Sequence, residues 1–155
     1  MNGAFLEAIA TLQPQFEQLL AMAPVKYGAK RMRVPQRGVY LFSENGKYLY
    51  VGRSNRLRSR LAAHCVSSST HLKAAFAFRL AREATANLNA TYTTDGSRAM
   101  LMKDETFRSA FETAKARIRN MEIRYVEEAD PLRQALLEMF VAVSLQTRYN
   151  DFDNH

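Results

Sequence analysis

Residues 38–52 have the sequence GVYLFSENGKYLYVG, and this stretch decides the fold of the chain. Two runs of alternating aliphatic and aromatic residues flank a central Asn-Gly pair, which predicts a β-hairpin. A two-residue turn would place Tyr40 and Tyr50 on opposite faces of this hairpin. A three-residue loop with a bulge at the glycine pairs Tyr40 with Tyr50 and keeps the aliphatic side chains on the other face. We favour the bulged loop, because a buried face selects the register that separates aliphatic from aromatic side chains.

The segment before the hairpin predicts a helix and an arm. Apolar residues recur at helical spacing over residues 3–22, and Pro14 should kink or split that helix. Residues 24–37 contain two prolines, one glycine and five basic residues, which indicates an extended arm. Residues 1–37 are therefore predicted to form an N-terminal helix followed by a basic arm.

The rest of the chain predicts four helices and one more strand. The first helix covers residues 55–65, with Ser54 or Asn55 as its N-cap. The second starts in the tract 67–70 and runs through about residue 83, and its apolar stripe consists of Leu72, Ala75, Phe76 and Leu80. The third covers roughly residues 98–118, and the fourth covers residues 131–145 after an Asp130 N-cap. Alternation at Met121, Ile123 and Tyr125 predicts the strand. The fold class is thus α+β: a small antiparallel or mixed three-stranded sheet, made of the hairpin and one later strand and flanked by helices, with a helical insertion at residues 66–118.

Length and composition favour one domain. The chain has 155 residues, of which 47% are hydrophobic, so a single domain with one core is expected over residues 1–155. The only cysteine, Cys65, excludes an internal disulfide framework and a cysteine-rich zinc site. The longest apolar runs are too short to cross a bilayer, and the N-terminus lacks the basic start of a signal peptide. These features predict a soluble, cytoplasmic protein.

Positive charge is concentrated in one part of the chain. The formal net charge is +7, and residues 23–64 hold ten Lys or Arg residues against a single acid, Glu44. Such a block favours a polyanion partner, because each neutralised phosphate releases condensed counterions. A solvated basic face without a partner fits the charge equally well. A membrane surface fits less well, because these residues do not lie along an amphipathic helix.

Two polar side chains stand out on the helix predicted after the hairpin. Arg60 and His64 are one helical turn apart and share a face. A guanidinium binds phosphate oxygens bidentately, and an imidazole relays protons near neutral pH. The same spacing also fits a surface arginine helix with an incidental histidine.

Glu138 is the only acidic residue between Pro131 and Asn150, in a helix that is apolar on nearly every side. A lone carboxylate in such a helix needs a cation or a metal ion, or it becomes neutral. A buried salt bridge to a nearby arginine satisfies this need as well as a metal ion does.

Several short motifs follow one another in a recognisable order. They are Gly38-Val39-Tyr40, Tyr50-Val51-Gly52, Arg60 eight residues after that glycine, His64, Leu137-Glu138 and Tyr149-Asn150. Together they resemble the GIY-YIG endonuclease family. The resemblance covers residues 38–65 and 119–150. The insertion at residues 66–118 departs from the family pattern, as does Thr147-Arg148, where many members have a proline.

The resemblance implies a metal-dependent DNA endonuclease that hydrolyses phosphodiester bonds. Glu138 would hold one divalent ion, Mg²⁺ or Mn²⁺. Arg60 would clamp the scissile phosphate, and Tyr40 would be the general base on the attacking water. Tyr50 would position the water or a phosphate oxygen, or exchange roles with Tyr40. His64 would take the proton from the phenol.

The resemblance also implies supporting residues and partners. Arg53 would contact a phosphate, with Arg56 and Arg58 as further DNA-binding residues. Gly52 would allow close backbone approach, and Asn150 would tie the structure together. The partner would be double-stranded or branched DNA, and a homodimer is one arrangement that could cut both strands. The alternative is a non-catalytic nucleic-acid-binding module that keeps the nuclease fold.

Overall fold

The computed structural model describes residues 2–86 and 97–152. The chain divides into two compact units. Unit 1 comprises Met1–Arg60 and Met121–Asn150, and unit 2 comprises Leu61–Asn120 and Asp151–His155. The hairpin and the last helix belong to unit 1, whereas the predicted insertion falls within the bounds of unit 2.

The sheet of unit 1 is antiparallel. Its strands are β1 (Val25–Lys26), β2 (Gly38–Glu44), β3 (Lys47–Ser54) and β4 (Glu122–Glu127), in the spatial order β1-β4-β2-β3. The predicted α+β class is confirmed, with the hairpin and the later strand as its centre. The fourth strand, β1, comes from the predicted basic arm, where Val25 pairs with Ile123.

Seven helices are formed by the described residues. They are α1 (Gly3–Ala10), α2 (Gln13–Ala21), α3 (Leu57–Cys65), α4 (Ala75–Ala84), α5 (Arg98–Leu101), α6 (Glu105–Arg119) and α7 (Pro131–Leu145). The predicted N-terminal helix is split, and Pro14 lies in the first turn of α2. The missing N–H of a proline costs no helical hydrogen bond in that turn. Asp130 caps α7 as predicted, because its carboxylate accepts from the Arg133 N–H. No helix in these described parts of the chain combines the length and apolarity that a membrane span requires.

The insertion is helical, with two differences from the predicted bounds. Its first helix begins only at Ala75, so the predicted apolar stripe is wrong at Leu72, which is 76% exposed. The cause is the turn before α4, whose carbonyls at Ser67 and Ser69 accept hydrogen bonds from the buried Lys115 ammonium at 2.6 and 2.8 Å.

The helix predicted over residues 98–118 is two helices. Asp104 is the N-cap of α6 and accepts hydrogen bonds from the Thr106 and Phe107 N–H groups, so the predicted helix is interrupted there. Residues 87–96 of the insertion lie outside the described residues.

One face of the hairpin packs on α7 and forms the core of unit 1. Val39, Leu41 and Val51 contribute from the strands and Leu137 and Val141 from the helix, all fully buried. Each such side chain contributes roughly 1.5–3 kcal/mol of burial free energy. This core holds α7 against the face of the sheet that the sequence predicted to be aliphatic.

The predicted hairpin loop is wrong in its length. Glu44 pairs with Lys47, so the loop has two residues, Asn45 and Gly46, with φ of 53° and 76°. Both values lie in the left-handed region that two-residue hairpin turns require and that Asn-Gly adopts readily. The predicted direct pairing of Tyr40 with Tyr50 is therefore also wrong.

A β-bulge inside β3 determines which face of the sheet the Tyr50 side chain occupies. Phe42 pairs with Tyr50 and Ser43 with Tyr48, which leaves Leu49 as the extra residue. Because of this shift, Tyr40 and Tyr50 lie on the same face, as predicted, although by a different register. The aliphatic core and the phenols are thereby separated without a longer loop.

Candidate active site

Two tyrosines lie side by side on the sheet face opposite the aliphatic core. Tyr40 is 1% exposed, Tyr50 is half-buried, and their ring centroids are 6.4 Å apart. Phe42 packs edge-on against Tyr40 at 5.8 Å and holds the ring in place. The two hydroxyl groups are close enough to hydrogen-bond to each other.

Gly52 makes room for the Tyr40 ring. It pairs with Tyr40 across the hairpin, and a Cβ atom at this position would lie 2.2 Å from the phenol oxygen and 2.3 Å from Cζ. No side chain fits at that distance. The close backbone approach expected at Gly52 therefore serves the placement of the phenol.

Arg60 brings a cation to both phenols. It projects from the first half of α3, and its Nε donates a hydrogen bond to the Tyr40 hydroxyl at 3.4 Å. A second hydrogen bond links its guanidinium to Tyr50. Arg60 is half-buried, so part of its side chain faces solvent.

Glu138 lies on α7 and forms an ion pair. Its Oε2 accepts a hydrogen bond from the Nε of Arg53 at 3.0 Å, and the two side chains are 26% and 43% exposed. Burial raises the pKa of the Glu138 carboxyl, and Arg53 and Arg60 oppose that rise. The salt bridge to a nearby arginine, which the sequence left open as an alternative, is thus formed between Glu138 and Arg53.

The four groups act on one another electrostatically. Burial raises the pKa of Tyr40 and of Tyr50, and Glu138 raises both further. The Arg60 guanidinium works in the opposite direction on both phenols. Removal of a phenol proton therefore depends on the cations that surround the hydroxyl, with Arg60 as the nearest of those present.

Asn150 acts as a short strand partner at the outer edge of β3. Its Nδ2 donates to the Val51 carbonyl at 2.7 Å, and its Oδ1 accepts from the Val51 N–H at 2.9 Å. The Tyr149 N–H donates to the Leu49 carbonyl at 3.0 Å, beside the bulge. The chain after α7 thus stabilises the strand that carries Tyr50.

The predicted DNA-contacting arginines are exposed. Arg53, Arg56 and Arg58 all lie on the surface of unit 1. Of the ten basic residues in the block 23–64, only Arg60 is half-buried. The other nine are exposed, namely Lys26, Lys30, Arg31, Arg33, Arg37, Lys47, Arg53, Arg56 and Arg58. This surface can contact several phosphates at once.

His64 has a different environment. It belongs to unit 2, has no exposed surface, and packs edge-on against Phe76 with ring centroids 6.4 Å apart. The structure gives this side chain a place in an apolar core. The proton relay implied for His64 stays a prediction of the resemblance.

Two residues near the site were missed by the sequence analysis. Tyr125 pairs with Tyr40 across β2 and β4 and so adds a third tyrosine to the same sheet face. Gln134 links α7 to the turn before α3, because its Nε2 donates to Asn55 Oδ1 at 3.0 Å and to the Glu128 carbonyl at 2.7 Å. The alternation at residues 121–125 signalled a strand, but its pairing partner was not readable from the sequence.

The residues around Glu138 fit a single hydrated divalent ion. Within residues 2–86 and 97–152, no three His, Cys, Asp or Glu side chains come together in a group suited to a metal. Mg²⁺ retains several waters and is usually bound through one or two carboxylates together with substrate phosphate oxygens. One carboxylate beside the guanidinium of Arg53, a group able to hold a phosphate oxygen, meets that requirement.

Comparison of the chain with family models, with curated proteins and with solved structures finds no match.

Proposed function

We propose that this chain is a metal-dependent endonuclease that hydrolyses phosphodiester bonds in DNA by a one-metal mechanism, as its resemblance to the GIY-YIG endonucleases implies. The observation that carries the proposal is the hydrogen-bonded group of Tyr40, Tyr50 and Arg60, with Glu138 of α7 near enough to act electrostatically on both phenols. These groups come from β2, β3, α3 and α7, so their meeting is a product of the fold. One-metal hydrolysis of a phosphodiester needs an anion clamp, a base and a metal ligand, and this set contains a candidate for each.

Arg60 is the proposed phosphate clamp. Its guanidinium donates to the Tyr40 hydroxyl from Nε, and the geometry of a guanidinium fork matches that of phosphate oxygens. Burial raises the pKa of Tyr40, and the Arg60 cation offsets part of that rise, in the direction that the proposed role of Tyr40 as the base on the attacking water requires. Tyr50 would hold the water or the phosphate oxygen, and the half-exposed position of its ring suits this contact.

Glu138 is the proposed ligand of one Mg²⁺ or Mn²⁺. When bound, the ion supplies Lewis-acid stabilisation of the charge that develops on the phosphate and on the leaving oxygen. Arg53 holds the carboxylate in the absence of substrate. We expect Arg53 to turn toward a DNA phosphate, because it is the more exposed member of the pair and its fork matches a phosphate as well as a carboxylate.

The proposed substrate is DNA, double-stranded or branched. The nine exposed basic residues of the block 23–64 support this choice, and all of them lie in unit 1 with the candidate site. Arg56 and Arg58 flank the start of α3 and would bind phosphates on either side of the one held by Arg60. A cytoplasmic location is proposed with this function.

The decisive experiment is plasmid cleavage with Mg²⁺ or Mn²⁺. We expect the wild type to nick, and we expect the Tyr40→Phe, Arg60→Gln and Glu138→Gln variants to lose at least about 100-fold in rate. The matched control for the tyrosine is Tyr48→Phe, in the same hairpin but packed toward the aliphatic core. The matched control for the carboxylate is Glu7→Gln on the surface of α1.

DNA binding must be measured on the same variants. Glu138→Gln should bind DNA at least as well as the wild type, because it removes a negative charge. Full cleavage by Glu138→Gln would remove the metal assignment. A wild type that binds DNA and cuts with neither ion would support the alternative, a nucleic-acid-binding module without activity. The Arg53–Glu138 ion pair is the observation that favours this alternative, since it satisfies the carboxylate without a metal.

A homodimer is proposed for cutting both strands, because one site cuts one strand at a time. Mixing active protomers with Glu138→Gln protomers tests this arrangement. Loss of double-strand cuts in proportion to mixed dimers would support it, and independent action of the active protomers would refute it.

A further inference from the structure

Unit 2 contains a buried arginine that the proposed nuclease chemistry does not use. Arg82 lies on α4 and is 5% exposed. Its Nε and Nη1 atoms are buried, and neither has a hydrogen-bond partner among the described residues. An unpaired guanidinium inside a protein is unfavourable, because burial removes its water without supplying an acceptor.

Two more arginines surround this position. The guanidinium carbons of Arg82 and Arg98 lie 5.6 and 4.9 Å from the centre of the Phe78 ring. Arg79 and Arg98 both repel the charge on Arg82, and together with burial, the larger cause, they lower its pKa. Two like charges, on Arg82 and Arg98, therefore lie at one apolar ring, and the charge of Arg79 is near enough to act on Arg82.

Among residues 2–86 and 97–152, the contacts of Arg79 and Arg98 are made to groups other than Arg82. Arg79 is paired with Asp151 at 2.5 Å, and the Nη1 of Arg98 donates to the His71 carbonyl at 3.2 Å. Neither contact reaches the buried atoms of Arg82. Arg98 is exposed and Arg79 is half-buried, so the cluster can be approached from solvent on their side.

We propose that Arg79, Arg82 and Arg98 form a phosphate-binding site in unit 2. Three guanidinium groups suit a multiply charged tetrahedral anion better than a planar carboxylate with one charge. The bound oxygens would accept from the Nε and Nη1 of Arg82 and thereby supply the missing acceptors. The phosphate could belong to the backbone of a nucleic acid or to a free or terminal phosphate, and the experiment below separates these sources. The site stands independently of the proposed cleavage reaction.

Thermal unfolding in phosphate and in chloride, at matched ionic strength, tests the site. At a phosphate concentration ten times Kd, linkage predicts a rise in the wild-type Tm of about 3–5 °C. Arg82→Met should abolish this rise, while its own Tm in chloride should equal or exceed that of the wild type, since an apolar side chain replaces an unpaired buried charge. Arg98→Gln should reduce the rise. Arg108→Gln is the matched control, because it removes an exposed arginine from α6 in the same unit.

The outcomes separate this site from a structural arginine. An unchanged phosphate response in both Arg82→Met and Arg98→Gln overturns the proposal, as does an equal loss in Arg108→Gln. If Arg82→Met does not fold, titration of Arg98→Gln with inorganic phosphate followed by ³¹P NMR decides. Competition by an unphosphorylated oligonucleotide assigns the site to backbone phosphate, and competition only by its 5′-phosphorylated form assigns it to terminal phosphate. None of these measurements requires cleavage, so failure of the nuclease proposal would be seen separately.

Discussion

Replacing Gly52 with alanine should displace Tyr40 and destabilise unit 1. The new Cβ would lie 2.2 Å from the phenol oxygen, where ordinary contacts are 3.4–4 Å. The ring must therefore move by about 1 Å, although it is 1% exposed and packs against Phe42 and Tyr50. Overpacking of this kind costs about 1–3 kcal/mol, and we expect the upper end because the ring is buried between two neighbouring rings.

Urea denaturation followed by circular dichroism measures this effect. A loss of about 3 kcal/mol corresponds to a fall in Tm of about 6–12 °C for a chain of this size. The matched control is Gly3→Ala, because a Cβ at Gly3 meets nothing within 4 Å, and the variant should be at least as stable as the wild type.

A double-mutant cycle isolates the contact. Tyr40→Ala alone should cost about 3–5 kcal/mol through the cavity it leaves. The double variant Gly52→Ala/Tyr40→Ala should be little worse than Tyr40→Ala, which gives a coupling of about 2–3 kcal/mol. Simple additivity of the two changes would refute the view that Gly52 is required by the phenol.

Three further changes test other parts of the structure. Burial raises the pKa of Glu128, but hydrogen bonds from a backbone N–H and from two side chains outweigh burial and hold it below its usual value. The ionised carboxylate therefore stabilises the fold above the unfolded pKa of about 4.3, and this stabilisation is lost as the pH falls through the folded pKa. Glu128→Gln should lower the free energy of unfolding by about 1–2 kcal/mol at pH 7 and match the wild type in acid, as measured by urea titrations across pH. Asn150→Ala should lose about 1–3 kcal/mol, because it removes both hydrogen bonds to Val51, and faster amide exchange at Val51 would locate the effect, whereas unchanged exchange would contradict it. Burial raises the pKa of the Cys65 thiol to about 12, so iodoacetamide at pH 8 should modify the native chain at least about 100-fold more slowly than the urea-unfolded chain, and equal rates would contradict this burial.

The sequence determined the elements whose cause is local. Asn-Gly between alternating strands specifies a hairpin, Pro14 specifies a helix break, and Asp130 before a proline specifies the start of α7. In each case the hydrogen bonds involved join residues no more than a few positions apart, so their chemistry is visible in the order of the residues.

Tertiary structure decided what meets across long separations. The bulge at Leu49, the pairing of Tyr40 with Tyr125 and the choice of Arg53 as the partner of Glu138 each depend on which surfaces pack together. The sequence limited the partner of Glu138 to a metal ion or an arginine, but it could not show which arginine of the basic block would be that partner. Contacts between residues 85 positions apart carry no local hydrogen-bond signature, and they exist only because burial of the aliphatic face brings α7 onto the hairpin.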